Sequence, residues 1–65
     1  MKVLLRNPRR ELVIDGKRSV NALLAELQLQ RESHLVIRNG TLVPGDAYLT
    51  GDDVVEIRPV ISGGA

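Results

Sequence analysis

Side chains that commonly carry chemistry are sparse in this sequence. His34 is the only histidine, and no second ligand stands at metal spacing from it, so it is interpreted as a solvated loop residue and not as a metal ligand or a triad member. Asp52 and Asp53 are adjacent carboxylates, which turn chemistry explains. Cysteine is absent, which excludes thiol catalysis and cysteine-bound metals. We therefore predict that the chain is not an enzyme and binds no metal or cofactor.

Two basic pairs, Arg9-Arg10 and Lys17-Arg18, are placed so that they could gather at one end of a sheet. A charged, solvated rim and a docking patch for tRNA or an acidic enzyme surface both stay open. Nine basic and eight acidic residues give a formal net charge of only +1, which argues against a dedicated nucleic-acid binder. Tyr48 is the only aromatic residue, so bases have no stacking platform and we expect no strong direct binding of nucleic acid.

The C-terminal Gly63-Gly64 pair is the other feature of chemical interest. Such an end is ordinarily a frayed terminus. Here it follows Pro59 by four residues, and a proline cannot donate to a sheet ladder, so it marks where a strand leaves its sheet. We predict one domain over residues 1–61 and a flexible C-terminal tail over residues 62–65.

Periodicity predicts the elements that would position this tail. Residues 2–6 and 11–15 are predicted strands, the second with Leu12 and Ile14 on its buried face. Ser19 is a predicted helix N-cap. The helix that follows carries one apolar stripe at positions i, i+3, i+4 and i+7, formed by Val20, Leu23, Leu24 and Leu27.

Three more strands are predicted after the helix. Residues 31–34 are a predicted loop, residues 35–37 a strand, Asn39-Gly40 a type I′ hairpin turn and residues 41–43 the return strand. Residues 44–50 are expected to be irregular, with one tight turn. Residues 54–61 form the longest predicted strand, which is expected to lie centrally beside the first.

The order β-β-α-β-β-β predicts an α+β, β-grasp fold, a mixed sheet with one helix packed on one face, because a lone hairpin cannot bury its own apolar face. The alternating residues Val36, Val54 and Val60 are expected on the opposite, open face. The predicted core consists of Val3, Leu5, Leu12, Ile14, Val20, Leu23, Leu24, Leu27, Ile37, Val55 and Ile57.

Size and composition limit the remaining possibilities. A chain of 65 residues holds one thin core and no deep cavity. No segment has the pattern of a signal peptide or the length of a membrane span. Together with the lack of cysteine, this leads us to expect a cytoplasmic protein that does not engage membranes.

Residues 51–64, GDDVVEIRPVISGG, resemble the C-terminal part of the bacterial ubiquitin-like sulfur carriers, the ThiS/MoaD superfamily. Residues 36–40, VIRNG, and the following Leu42-Val43-Pro44 are similar to the thiamine-pathway carriers. Residues 1–6 and the ending Ile61-Ser62-Gly63-Gly64 look closer to the carriers that serve 2-thiouridine formation in tRNA. The resemblance spans nearly the whole chain and is more specific for the superfamily than for a pathway.

The resemblance implies a sulfur carrier whose C-terminal carboxylate is the reactive group. A ubiquitin-activating-type enzyme would use ATP to adenylate Gly64, and sulfur from a persulfide donor would convert it to a thiocarboxylate. A sulfur-accepting enzyme would use that group for tRNA thiolation or for the thiazole of thiamine. Val60, Ile61, Ser62 and Gly63 would contact the partner. The glycines suit this role because they lack a Cβ.

Ala65 departs from the family pattern, which ends in a free Gly-Gly. Removal by a metalloprotease, addition of Ala65 to the natural chain, and a protein that is not a carrier all stay open. The alternative function is a ubiquitin-like protein modifier joined to lysines, or a non-covalent β-grasp binding module.

Overall fold

The computed structural model describes residues 1–6 and 9–60. The strands are β1 (Lys2–Leu5), β2 (Arg10–Val13), β3 (Arg18–Ser19), β4 (His34–Arg38), β5 (Thr41–Val43), β6 (Tyr48–Leu49) and β7 (Val54–Pro59). Between them lie the helix α1 (Val20–Glu26) and a single 3₁₀ turn (Arg31–Ser33). The predicted turn at residues 7 and 8 lies outside the described residues.

Five strands form one mixed sheet in the order β2-β1-β7-β4-β5. The first and last strands run parallel, with Val3 opposite Val55 and Leu5 opposite Ile57. The other three pairings are antiparallel. The predicted β-grasp fold, with the last strand at the centre beside the first, is therefore confirmed.

The helix begins where its cap residue predicts. The Ser19 hydroxyl oxygen accepts a hydrogen bond from the Ala22 N–H at 3.1 Å, which satisfies one donor of the first turn. Val20, Leu23 and Leu24 are buried against the sheet. The predicted apolar stripe is thus confirmed as the face that covers the sheet.

The helix ends at Glu26, and its C-cap Leu27 is the last residue of the apolar stripe. Gln28 adopts a left-handed conformation at φ 59°. Its N–H donates to Ala25 O, and the Leu29 N–H donates to Leu24 O. These two bonds make a Schellman motif, which usually places glycine where Gln28 stands. The absent glycine explains why the sequence did not predict this end.

The side chains of β4 face the opposite way from the sequence prediction, which placed Ile37 in the core and Val36 on the open face. Val36 lies opposite Ile57 and is buried, whereas Ile37 lies opposite Glu56 on the other face. Directly opposed residues share a face of the sheet, so Val36 belongs to the core and Ile37 to the open face. The three apolar residues Leu35, Val36 and Ile37 carry no alternation from which the phase could be predicted.

A second, two-stranded sheet was not predicted. Residues 44–50 contain a tight turn, as expected, but Tyr48–Leu49 then pairs with Arg18–Ser19. This pairing buries Leu49 completely and brings Ala47 O within 2.9 Å of the Val20 N–H at the helix start. Two-residue strands leave no periodic signal, so only tertiary contacts define them.

Most of the predicted core is confirmed. Val3, Val20, Leu23, Leu24, Val55 and Ile57 are buried, and Leu5, Leu12, Ile14 and Leu27 are partly buried against them. Besides Val36 and Leu49, the prediction missed Met1, which is 4% exposed. The terminal ammonium of Met1 donates to Ile14 O at 2.6 Å, which draws the first residue into the sheet.

Asp53 and Asn39 join two turns at the end of the sheet where β7 begins. Asn39 and Gly40 both have positive φ, as the predicted type I′ turn requires. The Asn39 amide donates to one Asp53 carboxylate oxygen at 3.0 Å, and the Thr50 N–H donates to the other at 2.8 Å. The hydrogen bond from Thr50 is the main cause that lowers the pKa of Asp53 below its ordinary value. The turn role predicted for Asp53 is confirmed.

Truncation of Leu24 tests the assignment of the helix face. We expect Leu24→Ala to lower the free energy of unfolding by about 2–5 kcal/mol, since a buried leucine leaves a cavity. The matched control Leu42→Ala, on the exposed edge strand β5, should change it by less than about 0.5 kcal/mol. Urea denaturation followed by circular dichroism measures both. A loss below about 1 kcal/mol for Leu24→Ala would contradict the assignment.

Acid titration tests the Asp53 network. Because the pKa of Asp53 is lower in the folded chain than in the unfolded one, the unfolded state binds more protons and this contribution to stability is lost as pH falls through the folded-state pKa. The stability advantage of the wild type over Asp53→Asn should therefore be full at about pH 6 and shrink below about pH 4. Denaturation curves of both proteins across this range measure it, and a difference independent of pH would contradict the network.

Candidate functional site: the exit of the C-terminal tail

The tail leaves the domain from the centre of the sheet. Pro59 is the last residue of β7 and lies opposite His34, the first residue of β4. One further backbone bond follows, from the Val60 N–H to Ser33 O at 2.8 Å. β7 thus ends at Pro59, as the proline predicts, and is shorter than the strand predicted over residues 54–61, although one bond follows at Val60. His34 is a strand residue and not a loop residue.

Of the predicted site residues, the structure describes only Val60, which is 38% exposed. Ile61, Ser62, Gly63, Gly64 and the following Ala65 lie outside the described residues, as does the predicted boundary between residues 61 and 62. Their roles stay predictions. Five residues of extended chain span up to about 17 Å, which sets the distance at which a terminal group could act.

The helix side of the exit is apolar. An open cavity of about 350 Å³ lies there, and its walls include Leu12, Leu27, Leu29 and Pro59, with His34 and Arg10 among its polar residues. The His34 Nδ1–H donates to Gln30 O at 2.9 Å, which orients the ring by a main-chain contact. His34 therefore has a structural partner, in keeping with its interpretation as a residue without catalytic function.

The opposite side of the exit is the open face of the sheet. The strand register places Leu4, Leu35, Ile37, Leu42 and Val54 on this face. Leu35, Leu42 and Val54 are 45%, 59% and 45% exposed. The prediction of an apolar open face holds for Val54 and fails for Val36, which is buried in the core.

Glu56 lies in the middle of this face and forms ion pairs with two arginines. The Arg6 guanidinium is 2.9 Å from its carboxylate and Arg58 is 3.6 Å away. Glu56 is opposite Ile37 on one side and Leu4 on the other. Glu11, opposite Leu4 and 3.5 Å from Lys2, is a second paired carboxylate on this face, so the open face combines apolar residues with two ion-paired glutamates.

The predicted gathering of the two basic pairs is wrong. Arg10 begins β2 at the tail end of the sheet, while Lys17 and Arg18 follow the other end of that strand. Arg18 bonds Glu26 and Asp15 O instead, and the Lys17 Nζ lies 5.3 Å from the centre of the Tyr48 ring. Antiparallel pairing of β1 and β2 separates the pairs, and Arg6 and Arg58 join Arg9 and Arg10 at the tail end.

No three metal-ligating groups among residues 1–6 and 9–60 come together. In this part of the chain no helix is long and apolar enough to cross a membrane. The candidate site is therefore the end of the central strand β7, which is bordered by an apolar cavity, the open face of the sheet and several arginines.

Comparisons with known proteins agree with this arrangement. The model of the ThiS family matches residues 3–64. The sulfur carrier protein TtuB of Thermus thermophilus is 34% identical, over 98% of this chain and 100% of that protein. The crystal structure of the thiamine biosynthesis protein ThiS from Geobacter metallireducens superposes with a TM-score of 0.67 at 26% identity, with 100% of both chains covered. This chain therefore belongs to the ThiS family of β-grasp sulfur carriers.

Proposed function

We propose that this chain carries sulfur as a thiocarboxylate on Gly64. The observation that supports this most directly is the end of the central strand β7 at Pro59, five residues before Gly64, with the Val60 N–H bonded to Ser33 O as the last sheet bond among the described residues. The match to the ThiS family ends at residue 64, in keeping with Gly64 as the functional terminus. The chain acts as a co-substrate, and its partners supply the catalysis.

The proposed chemistry needs an activating enzyme because a carboxylate has no adequate leaving group. Attack of the Gly64 carboxylate on the α-phosphate of ATP gives an acyl-adenylate and releases pyrophosphate. The terminal sulfur of a donor persulfide then attacks the acyl carbon, and AMP leaves. A thiol of the donor or activating enzyme reduces the resulting acyl disulfide, which gives the thiocarboxylate and an enzyme disulfide. ATP is bound by the partner and not by this chain.

Ala65 is removed before activation in this proposal. An extra residue would displace the terminal carboxylate by up to about 3.5 Å and place a methyl group where a channel fitted to glycine leaves little room. A metalloprotease is the proposed trimming enzyme. Its product, the chain ending at Gly64, is the species that enters the activating enzyme.

The open face is the proposed docking surface for that activating enzyme. Leu35 and Val60 lie next to the tail exit and are exposed, so an enzyme that holds the tail must also approach them. Exposed apolar residues that share one face favour protein contact. Two charged residues of β7 lie on the same face: Glu56, and Arg58, which is opposite Leu35. Such charges contribute more to the orientation of the bound partner than to its affinity.

The thiocarboxylate is proposed to serve tRNA thiolation or the thiazole of thiamine. The relatives at hand, a sulfur carrier and a thiamine biosynthesis protein, support this pair. The small subunit of molybdopterin synthase is the less favoured comparison, because it usually carries aromatic residues near its last strand and this chain has none there. Delivery of the sulfur requires a sulfur-accepting enzyme in a reducing compartment, for which we propose the cytoplasm.

Intact-mass spectrometry of two chain lengths tests the role of Gly64. Both are incubated with ATP, a persulfide donor and the ubiquitin-activating-type enzyme of the same genome. The chain ending at Gly64 should show one oxygen-to-sulfur exchange. The chain ending at Ala65 should react more slowly by on the order of a hundredfold, because a misplacement of about 1 Å can cost that much.

The same experiment distinguishes the alternatives. Equal reaction of both chains would show that trimming is unnecessary. Covalent adducts on lysines of other proteins, without a thiocarboxylate, would favour the protein-modifier function. Failure of both chains with every candidate activating enzyme would contradict the carrier proposal and favour a binding module.

Substitutions near to and far from the tail exit on the open face test the docking surface. Leu35→Asp and Val60→Asp should leave the domain folded and weaken binding to the activating enzyme by about tenfold or more, since each buries an unpaired carboxylate in the interface. Val13→Asp, on the far corner of the same face, is the matched control and should change the dissociation constant less than about twofold. Isothermal titration calorimetry measures binding, with circular dichroism as the check of folding.

Val36→Asp adds a control for the register of β4. It is adjacent to Leu35 along the chain but lies in the core, so it should unfold the domain and not merely weaken binding. Unchanged affinity of both Leu35→Asp and Val60→Asp would remove the open face from the proposal.

A further inference from the structure

Four arginines converge on the tail exit. Because β1 is parallel to β7, Arg6 follows Leu5 at the end of the sheet where β7 also ends. Arg10 lies opposite Leu5 in the antiparallel β1–β2 pair, so it reaches the same end. Arg6, Arg9 and Arg10 line one open depression of about 420 Å³, and Arg58 adjoins it through Glu56. We call Arg6, Arg9, Arg10 and Arg58 the tail-side arginine cluster.

The cluster is not neutralised by its own surroundings. Glu56 pairs with Arg6 and Arg58, while Glu11, the other carboxylate of the depression, lies 3.5 Å from Lys2. Within residues 1–6 and 9–60 no carboxylate lies within 4.0 Å of Arg9 or Arg10. The two arginines therefore retain their capacity for a partner's anions.

The charge of the chain is unevenly distributed. Four arginines against Glu56 and Glu11, the two carboxylates of the depression, give two net positive charges at the tail exit, in a chain whose formal net charge is +1. The rest of the chain therefore carries one net negative charge. A field of this kind orients an approaching partner before contact.

The reach of the tail decides which kind of anion the cluster can meet. The Gly64 carboxylate can reach up to about 14 Å beyond Val60, so an extended tail would carry the reacting nucleotide away from the arginines. They face the surface that surrounds the tail where it enters a partner. Guanidinium groups pair with carboxylates in a bidentate geometry, and the lack of an aromatic platform beside the cluster disfavours nucleic acid.

We propose that the tail-side arginine cluster docks on acidic side chains at the mouth of the channel through which the activating enzyme receives the tail. This inference rests on the proposed function and adds the electrostatic means by which the tail is aligned with its channel. Exposed charges at the rim of an interface act mainly on the association rate and its salt dependence.

A pair of charge reversals tests the proposal. Arg9→Glu should lower the association rate constant with the activating enzyme by about tenfold at low salt, with a much smaller change in the dissociation rate. Lys17→Glu changes the net charge equally at the other end of the sheet and should have less than a twofold effect. Stopped-flow fluorescence measures both. At about 1 M salt, where the screening length is about 3 Å, the difference should vanish.

A second measurement keeps the inference testable if no activating enzyme binds the wild type. In ¹H–¹⁵N spectra of the complete chain, a short poly-glutamate peptide should shift the Arg9 and Arg10 amides and the Arg6 Nε–H, and leave Lys17 unchanged. These shifts should be absent in Arg9→Glu/Arg10→Glu. If the peptide shifts these signals but no activating enzyme binds the chain, the proposed function is contradicted, whereas the anion site at the arginine cluster is supported.

Three outcomes would overturn the proposal. The first is an equal effect of Arg9→Glu and Lys17→Glu on association. The second is an effect that does not respond to salt. The third is the absence of peptide shifts together with strong, Arg9-dependent binding of a tRNA probe, which would assign the cluster to a nucleic-acid backbone.

Discussion

The pairing of the last strand with the first is the constraint on which the rest of this structure depends. β7 lies between β1 and β4, and its residues Val55 and Ile57 are 0% and 1% exposed. The parallel pair joins Val3 to Val55, so nearly the whole chain is enclosed in one loop. Contacts of such long sequence separation form only after most of the chain entropy has been lost.

This constraint gives the C-terminus a rigid origin. In many small domains the last strand lies at an edge, whereas here β7 is central and has a neighbour on both sides. The bond from the Val60 N–H to Ser33 O fixes residue 60 relative to the open face, the helix-side cavity and the arginines. A carrier whose only reactive group is its C-terminus depends on a partner that binds the tail in the correct position. Because the start of the tail is fixed relative to the domain surface, a partner that binds this surface also positions the tail.

The two faces of the sheet divide stability from recognition. One face is covered by α1 and the β3–β6 pair, which together bury Val20, Leu23 and Leu49. A Cβ at Gly45 would clash with the side-chain oxygen of Asn21, so a larger residue there would require that exposed side chain to move. The other face keeps exposed aliphatic residues around Glu56. Exposed apolar residues are common on folded proteins, and a mixture of apolar and polar residues is suited to a reversible protein interface.

The sequence by itself determined the order of the helix and the five strands of the main sheet, which follows from the periodicity of apolar residues. It also determined the Ser19 cap, the Asn39-Gly40 turn and the end of β7 at Pro59, because each depends on local chemistry: a hydroxyl acceptor, positive φ and a missing donor. It also indicated the family, since the tail motif is read along the chain. Tertiary structure alone decided whether Val36 or Ile37 enters the core, because three consecutive apolar residues have no phase until a neighbouring strand sets the register. Strand pairing also separated Arg9-Arg10 from Lys17-Arg18 and brought Arg6 and Arg58 to the tail exit. These positions could not be predicted, because the distance between two residues along the chain does not say whether strand pairing brings them together.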